Sequence, residues 1–210
     1  EPRGKTEAWY ILAAEPGARL VIGLQPETTR AQMAQAIRDN TLEKLLVYAE
    51  VTAGDTLFVR AGTIHALGAG ILLYEIQQSS DTTYRLYDWG RMDLNGQPRP
   101  LHIEKGVQVS HLDTLPQIVH TAQASGPVVE IVRAPYFTTL LYRLNLGSAR
   151  LDTGGTRFHI LTCIADRARL AWRGGNIGLE AGQTVLVPAC IGPYRLDGRG
   201  HVLCSHQGWG

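Results

Sequence analysis

Residues 54–91 read GDTLFVRAGTIHALGAGILLYEIQQSSDTTYRLYDWGR, and this stretch determines the predicted fold. Two apolar β patterns stand around glycine-rich turns, and His65 lies between them. Glycine adopts the positive φ angles of tight turns without steric cost, so Gly54 and Gly62 predict turns at both ends of a strand at 56–59. The sequence therefore predicts that His65 projects from the start of the next strand into the space between two sheets.

The spacing of Gly54, Gly62 and His65 resembles the second signature motif of cupins, which are small β-barrels that hold a metal ion inside. Arg60 stands where cupins usually have proline, a difference that affects the stiffness of the strand and not the metal chemistry. The longer segment that begins at Gly62 is similar to the signature region of the type I mannose-6-phosphate isomerases, in their short bacterial form.

A second segment, GKTEAWYIL at residues 4–12, resembles another signature of the same family, in which a lysine and a glutamate lie two residues apart on one strand. The resemblance is close as far as about residue 109 and looser beyond it. It implies an all-β fold of two cupin-like jelly-roll sandwiches, with a short helical insertion in the first. The predicted boundaries are a first, metal-binding domain at 1–109 with its insertion at 25–46, a connector at 110–127 and a second domain at 128–210.

The residue patterns support this division. β patterns at 8–12 and 19–23, joined by a Glu-Pro-Gly turn at 15–17, predict a β-hairpin. In 25–46 the apolar residues change to helical spacing, which predicts two short amphipathic helices. A second β-rich block runs over 128–206.

The second block contains a degenerate copy of the first. GQTVLVPA, from Gly182, has the same frame as GDTLFVRA, from Gly54. Pro193 occupies the place that His65 has in the first copy. Because a zinc site needs imidazole, thiolate or carboxylate ligands, the second domain is predicted to hold no metal and to serve in packing, with a hidden second site as the alternative.

Composition and charge narrow the classes of function. The chain has 210 residues, 44% of them hydrophobic, and a formal net charge of +1. This charge gives no general attraction to nucleic acid or membranes, and no apolar run approaches the roughly 18 residues of a membrane-spanning helix. The three cysteines, Cys163, Cys190 and Cys204, match neither a disulfide framework nor a CxxC zinc site. A cytoplasmic protein is expected.

Glu7 and His65 are the candidate metal ligands. A carboxylate buried unpaired in an apolar strand loses much hydration, and a metal ion would stabilise Glu7 there. A solvent-facing strand residue is the alternative for Glu7, and a hydrogen-bonded core histidine is the alternative for His65. One oxygen and one nitrogen ligand suit zinc. The family resemblance implies two more ligands in a Gln-x-His motif that these residues lack, so we expect a fragment or a shortened form whose activity is conditional.

The candidate substrate residues are Lys5, Glu75, Arg85 and Arg91. Lys5 shares a strand face with Glu7, where it could meet sugar hydroxyls or pair with Glu7; a surface lysine is the alternative. The resemblance assigns Glu75 to the barrel interior, whereas its pattern also fits a solvated face. Arg85 is the predicted catalytic residue and Arg91 a predicted substrate ligand, because a guanidinium keeps its charge and binds oxyanions in a planar fork. Surface salt bridges are the alternative for both arginines.

The resemblance implies an enzyme of carbohydrate metabolism that interconverts mannose 6-phosphate and fructose 6-phosphate, with zinc as cofactor. The reaction moves a proton through an enediolate, whose charge Arg85 would stabilise. A continuous strand, turn and strand is predicted to place His65, Glu75 and Arg85 on one cavity. The base stays open between Glu75, a metal-bound water and a residue of the missing segment. A non-catalytic cupin that binds a sugar or a partner protein, and a β-sandwich without a ligand, are the alternatives.

Overall fold

β-Strands dominate the regular structure of the chain, so the predicted all-β class is confirmed. The computed structural model describes residues 3–113 and 115–208, and over these it contains sixteen strands and two α-helices. The chain divides into a first unit, Glu1–Val119, and a second unit, His120–Gly210. Neither α-helix in the described residues has the length or the hydropathy to cross a membrane.

The first unit is built from two sheets. Its strands are, in chain order, β1 (Glu7–Ala14), β2 (Arg19–Leu24), β3 (Leu46–Glu50), β4 (Asp55–Val59), β5 (Ala66–Leu67), β6 (Ile71–Gln77) and β7 (Ile118–His120). One sheet has the order β6-β1-β4-β7, and the other has the order β3-β2-β5. Trp9, Leu20 and Leu57, each at most 2% exposed, belong to the core that both sheets share. Because side chains alternate along a strand, Glu7 lies on the same face of β1 as Trp9.

The predicted hairpin over residues 8–23 is wrong. β1 pairs with β4 and β6, whereas β2 pairs with β3 and β5, so these two strands lie in different sheets. A turn does form between them, and the amide of Ala18 donates to the carbonyl of Glu15. The turn residues predict the change of direction, but the burial of apolar faces decides which strands pair.

The predicted helical insertion is confirmed between β2 and β3. Helix α1 (Arg30–Arg38) begins with a capping box, in which the side chains of Thr29 and Gln32 each accept a hydrogen bond from the other's backbone N–H. Met33 of α1 is fully buried in a second core of this unit. The second helical piece is a 3₁₀ turn, Leu42–Leu45, instead of an amphipathic α-helix.

Residues 78–102 follow β6 without forming a strand, so the predicted strand through Arg85 is wrong. The physical reason is the polar run QQSSDTT at 77–83, which has no apolar alternation to bury against a sheet. Helix α2 (Ile103–Val109) comes next and was not predicted. It is a helix of two turns, too short for a helical period to stand out from its surroundings.

The second unit also contains two sheets. Its strands are β8 (Val128–Arg133), β9 (Phe137–Arg143), β10 (Ala149–Asp152), β11 (His159–Ala165), β12 (Arg167–Trp172), β13 (Gly175–Glu180), β14 (Thr184–Val187), β15 (Pro193–Gly198) and β16 (His201–Gln207). The sheet orders are β14-β11-β16-β9-β8 and β10-β15-β12-β13. Leu161, Leu196 and Val202 are fully buried in the core of this unit.

The backbone repeats the degenerate copy that the sequence predicts. Gly54 and Gly182 have φ angles of +89° and +88°, in the left-handed region that favours glycine. The amide of Gly54 donates to the carbonyl of Ile11 in β1, and the amide of Gly182 donates to the carbonyl of Cys163 in β11. Both hydrogen bonds measure 2.8 Å, so β1 and β4 in the first unit correspond to β11 and β14 in the second.

Candidate functional site

Glu7 and His65 lie in direct contact within the first unit. Oε1 of Glu7 is 3.1 Å from Nε2 of His65, and the Glu7 side chain is 1% exposed. Glu7 lies on β1 between the neighbouring strands β4 and β6, opposite Val59 and Gln77. A carboxylate at such a position is stabilised by partners that are charged or donate hydrogen bonds.

The turn before β5 orients His65. A Cβ atom on Gly62, whose φ is +87°, would lie 2.7 Å from the carbonyl oxygen of Val109, so glycine is required there. Nδ1 of His65 lies 2.8 Å from the carbonyl oxygen of Thr63 and donates its hydrogen to it. This bond leaves Nε2 of His65 to face Glu7, and metal-binding histidines are commonly held in this way.

Lys5 and Glu75 complete a four-residue cluster with Glu7 and His65. Nζ of Lys5 is 2.7 Å from Oε2 of Glu7 and 3.4 Å from Oε1 of Glu75. The side chains of Lys5 and Glu75 are 25% and 32% exposed, so a solute can reach them. The structure therefore brings together four of the six residues that the sequence singles out.

Trp9 joins this cluster and was missed. Its Nε1 donates a hydrogen bond of 3.2 Å to Oε2 of Glu75, and its ring packs edge-on against His65, with centroids 5.2 Å apart. The signal was available, because Glu7 and Trp9 lie two residues apart on β1 and share a face, and Lys5 stands two residues before Glu7. Thr63, which accepts the hydrogen bond from His65, had no signal in the sequence.

The charges of the cluster support one another. Burial opposes ionisation of Glu7, but hydrogen bonds from His65 and Lys5 outweigh it and lower the pKa of Glu7. Burial likewise opposes the charged form of His65, yet Glu7 and the carbonyl of Thr63 raise the pKa of His65. The pKa of Lys5 is also raised, because the two glutamates outweigh desolvation. Glu7 is therefore ionised at neutral pH beside a charged lysine.

Glu7 and His65 fit the requirements of zinc. Two ligands at zinc distances of about 2.1 Å in a tetrahedral site are about 3.4 Å apart, close to the 3.1 Å between Oε1 and Nε2. Over residues 3–113 and 115–208, no group of three or more His, Cys, Asp and Glu side chains is placed to hold a metal ion. The described part of the chain thus offers two ligands at this point.

Arg85 and Arg91 have other surroundings. Nη1 of Arg85 donates to the carbonyl of Pro100 at 3.2 Å, and its Nε is 3.9 Å from a carboxylate oxygen of Asp88. Arg91 lies over the ring of Trp89, 5.9 Å from its centroid. Within the described residues, neither arginine forms an ion pair or hydrogen bond with the four-residue cluster. The catalytic role of Arg85 and the substrate-binding role of Arg91 stay predictions.

Comparison with known proteins identifies relatives along nearly the whole chain. Residues 128–207 match the family model described as mannose-6-phosphate isomerase, cupin domain. The chain is 32% identical over 207 residues to the mannose-6-phosphate isomerase of Streptococcus mutans, a match that covers 97% of the chain. It spans 64% of the length of that relative.

Solved structures extend the likeness to the fold. The crystal structure of the mannose 6-phosphate isomerase from Bacillus subtilis superposes with a TM-score of 0.85 and 30% identity, over 97% of this chain and 65% of that one. A zinc-bound mannose 6-phosphate isomerase superposes with a TM-score of 0.74 at 14% identity, over 99% of this chain and 67% of that one. The sequence match and the shared fold agree with each other, and the chain is similar to the mannose-6-phosphate isomerases over nearly its whole length.

Proposed function

We propose that the chain carries the active site of a zinc-dependent aldose–ketose isomerase that interconverts mannose 6-phosphate and fructose 6-phosphate. The observation that carries this proposal is the buried contact between Glu7 and His65, with Lys5 and Glu75 beside it at the reach of solvent. Because the chain spans 64% of its relative's length, the activity, the sugar phosphate substrate and the cytoplasmic location are all part of the proposal.

Glu7 and His65 would hold the zinc ion through Oε1 and Nε2. When bound, zinc supplies Lewis-acid polarisation of the substrate oxygens. Two protein ligands form a weak site, so we expect the chain on its own to bind zinc weakly. Lys5 donates to the second oxygen of Glu7 and holds that carboxylate in its ionised form.

Glu75 is the candidate within the cluster for moving the proton between adjacent carbons of the sugar. Lys5 and Trp9 each hold one of its carboxylate oxygens, which fixes the orientation of the group. A positioned carboxylate can take a proton from one carbon and return it to the next, provided that the substrate lies within hydrogen-bond reach. The exposed fraction of Glu75 is compatible with such access.

The guanidinium groups of Arg85 and Arg91 complete the proposal. Arg85 would stabilise the negative charge of the enediolate, since its guanidinium is always protonated. Arg91, exposed beside Trp89, would contact the phosphate of the substrate. Within the described residues, neither arginine forms an ion pair or hydrogen bond with the four-residue cluster, so both roles depend on contacts with the bound substrate.

The test is an isomerase assay that measures fructose 6-phosphate formed from mannose 6-phosphate. It uses the chain as it stands and the chain completed with the part of a full-length relative that the match leaves uncovered. We expect zinc-dependent turnover in the completed protein, with loss on chelation and recovery on addition of zinc. Glu75→Gln should lower kcat at least about 100-fold, the usual contribution of a general base.

The matched control is Glu104→Gln, an exposed carboxylate on α2, which should retain full activity. A completed protein that folds and binds zinc but does not isomerise mannose 6-phosphate would overturn the proposal. A sugar phosphate that still binds to such a protein would instead support a non-catalytic cupin. The observation that favours this second function is that the described residues contain no group of three or more metal ligands.

A further inference from the structure

The second unit has a site at the position that corresponds to the Glu7 site of the first. Glu7 on β1 lies opposite Val59 of β4, and His159 on β11 lies opposite Val187 of β14. Val59 and Val187 are matching residues of the repeated glycine frame. The register of β1 with β6 shifts after Ile11, and the register of β11 with β16 shifts after Cys163. These shifts lie at the same distance from Glu7 and from His159. His159 therefore occupies the place of Glu7.

The same correspondence replaces a second carboxylate and keeps a cation. Trp9 lies opposite Glu75, and Leu161 lies opposite Cys204, so a thiol takes the place of that carboxylate. Arg157 stands two residues before His159, as Lys5 stands two residues before Glu7. The first unit therefore has two carboxylates and a lysine at these places, whereas the second unit has an imidazole, a thiol and a guanidinium.

A cavity of about 380 Å³ opens at this place in the second unit. Its walls carry four basic side chains and one carboxylate, and they are Arg150, Arg157, His159, His206 and Asp152. The carboxylate of Asp152 accepts a hydrogen bond of 2.8 Å from the amide of Gly154. Neither arginine forms an ion pair with any residue in the described part of the chain. The cavity therefore carries a positive charge, and the guanidinium groups of Arg150 and Arg157 are available to bind a ligand.

His159 is built into this wall. It is 7% exposed, and its Nδ1 is 2.6 Å from the hydroxyl oxygen of Tyr194. Burial raises the pKa of the Cys204 thiol to about 12 and also raises the pKa of Tyr194, so both groups keep their protons. The protonated hydroxyl of Tyr194 can then donate to Nδ1, which leaves a hydrogen on Nε2 of His159. In this tautomer His159 is a donor even when it is neutral.

His206 stands beside this donor. The two imidazole rings have centroids 5.5 Å apart, and Nδ1 of His206 lies 2.8 Å from the carbonyl oxygen of Gln207. Burial, and after it the charges of His206 and Arg157, lower the pKa of His159, while Asp152 opposes them. Arg150 and Arg157 outnumber the one carboxylate of the wall, Asp152, and an anion is the ligand that this surplus of positive charge favours.

The residues do not suit a metal. The cavity wall carries two guanidinium groups, Arg150 and Arg157, against one carboxylate, Asp152, and this surplus of positive charge repels a metal cation. A thiol that keeps its proton is a poor ligand as well, because metals bind the thiolate. We propose that this cavity of the second unit binds a small phosphate-bearing anion, held by Arg150, Arg157 and the imidazole of His159. The volume suits inorganic phosphate or a sugar phosphate, and bidentate guanidinium contacts suit phosphate oxygens.

The test is a titration of the whole chain followed by NMR of its imidazole nitrogens and carbons. Inorganic phosphate, glucose 6-phosphate and uncharged glucose serve as three separate probes. We expect the phosphate-bearing probes to shift the signals of His159 and His206, and glucose to leave them unchanged. Tighter binding of glucose 6-phosphate than of phosphate would identify a sugar phosphate as the ligand, and equal binding would identify free phosphate.

Variants distinguish this cavity from the site of the first unit. Arg157→Ala should weaken binding at the histidines of the second unit by about ten-fold or more, the usual effect of losing a charged hydrogen bond. Arg173→Ala removes an equal charge from the exposed turn between β12 and β13 and should leave the affinity unchanged. Lys5→Ala should also leave it unchanged. Equal weakening by Arg157→Ala and Arg173→Ala, or the absence of any shift at His159 and His206, would overturn the proposal.

Discussion

The carboxylate of Glu7 contacts the imidazole of His65 at 3.1 Å, from Oε1 to Nε2, and its other oxygen lies 2.7 Å from Nζ of Lys5. Glu7 is on β1, whereas His65 comes from the turn before β5 in the opposite sheet. The two sheets of the first unit therefore meet at this pair, and a change in either residue tests the site directly.

Glu7→Gln should weaken zinc binding. The amide has the size of the carboxylate but lacks its charge, and zinc prefers charged oxygen or nitrogen and sulfur ligands. We expect a loss of at least about ten-fold in affinity, since even supporting residues of a metal site commonly contribute that much. Calorimetric titration of the metal-free chain with zinc measures it, with Glu104→Gln as the control. An unchanged affinity would show that Glu7 is not a ligand.

Arg85→Lys tests the predicted catalytic role in the completed, active protein. Lysine keeps the positive charge and loses the planar fork, so a sugar phosphate should still bind while kcat falls. A raised KM at unchanged kcat would instead indicate a phosphate contact, which is made in ground and transition states alike. Steady-state kinetics separate these results. Wild-type kinetics would assign Arg85 to the structural contacts that it makes with Pro100 and Asp88.

Alkaline pH should destabilise the fold through Cys204. Burial raises the pKa of its thiol from 9.0 to about 12. Between these values the unfolded chain has lost this proton and the folded chain has kept it, so the free energy of unfolding falls as pH rises, by up to about 1.4 kcal/mol per pH unit. Tyr142 and Tyr194 lie beside the thiol, and burial raises their pKa values too, which adds to the loss.

Urea unfolding between about pH 8 and pH 10.5 measures this dependence. Cys204→Ala should flatten the fall in stability over this range, although it lowers the stability at neutral pH by opening a small cavity. Cys190→Ala changes an exposed thiol and should leave the slope as it is in the wild type. Identical slopes for all three proteins would contradict the predicted contribution of Cys204.

Thr29→Ala should lower the free energy of unfolding by about 1 kcal/mol, the usual contribution of a helix N-cap. The substitution leaves the backbone N–H of Gln32 without the hydroxyl that accepts its hydrogen bond. Thr29→Ser keeps this oxygen and is the matched control. Urea unfolding followed by far-ultraviolet circular dichroism checks the result. An alanine variant as stable as the serine variant would mean that solvent replaces the cap at no cost.

The sequence by itself determined the fold class, the helical insertion and the pairing of Glu7 with His65. These features depend on short-range signals: alternation along strands, glycine at positive φ, and a family spacing that carries a histidine to the start of a strand. The positions of Lys5 and Trp9 follow from the same alternation. Trp9 shares a face of β1 with Glu7, and Lys5 lies two residues before Glu7. The degenerate copy that begins at Gly182 could also be recognised in the sequence, since its residues have the same spacing as those that begin at Gly54.

Only the tertiary structure decided which strands pair and what surrounds each arginine. β1 and β2 are adjacent in sequence but join different sheets, because the burial of two apolar faces outweighs the local turn. Arg85 lies in a polar stretch without a strand, so no period in the sequence sets its direction. The correspondence of His159 with Glu7 depends on strand register across each sheet. Register is a long-range property, and it placed His159 at the position of Glu7 in a unit for which the sequence favoured a packing role.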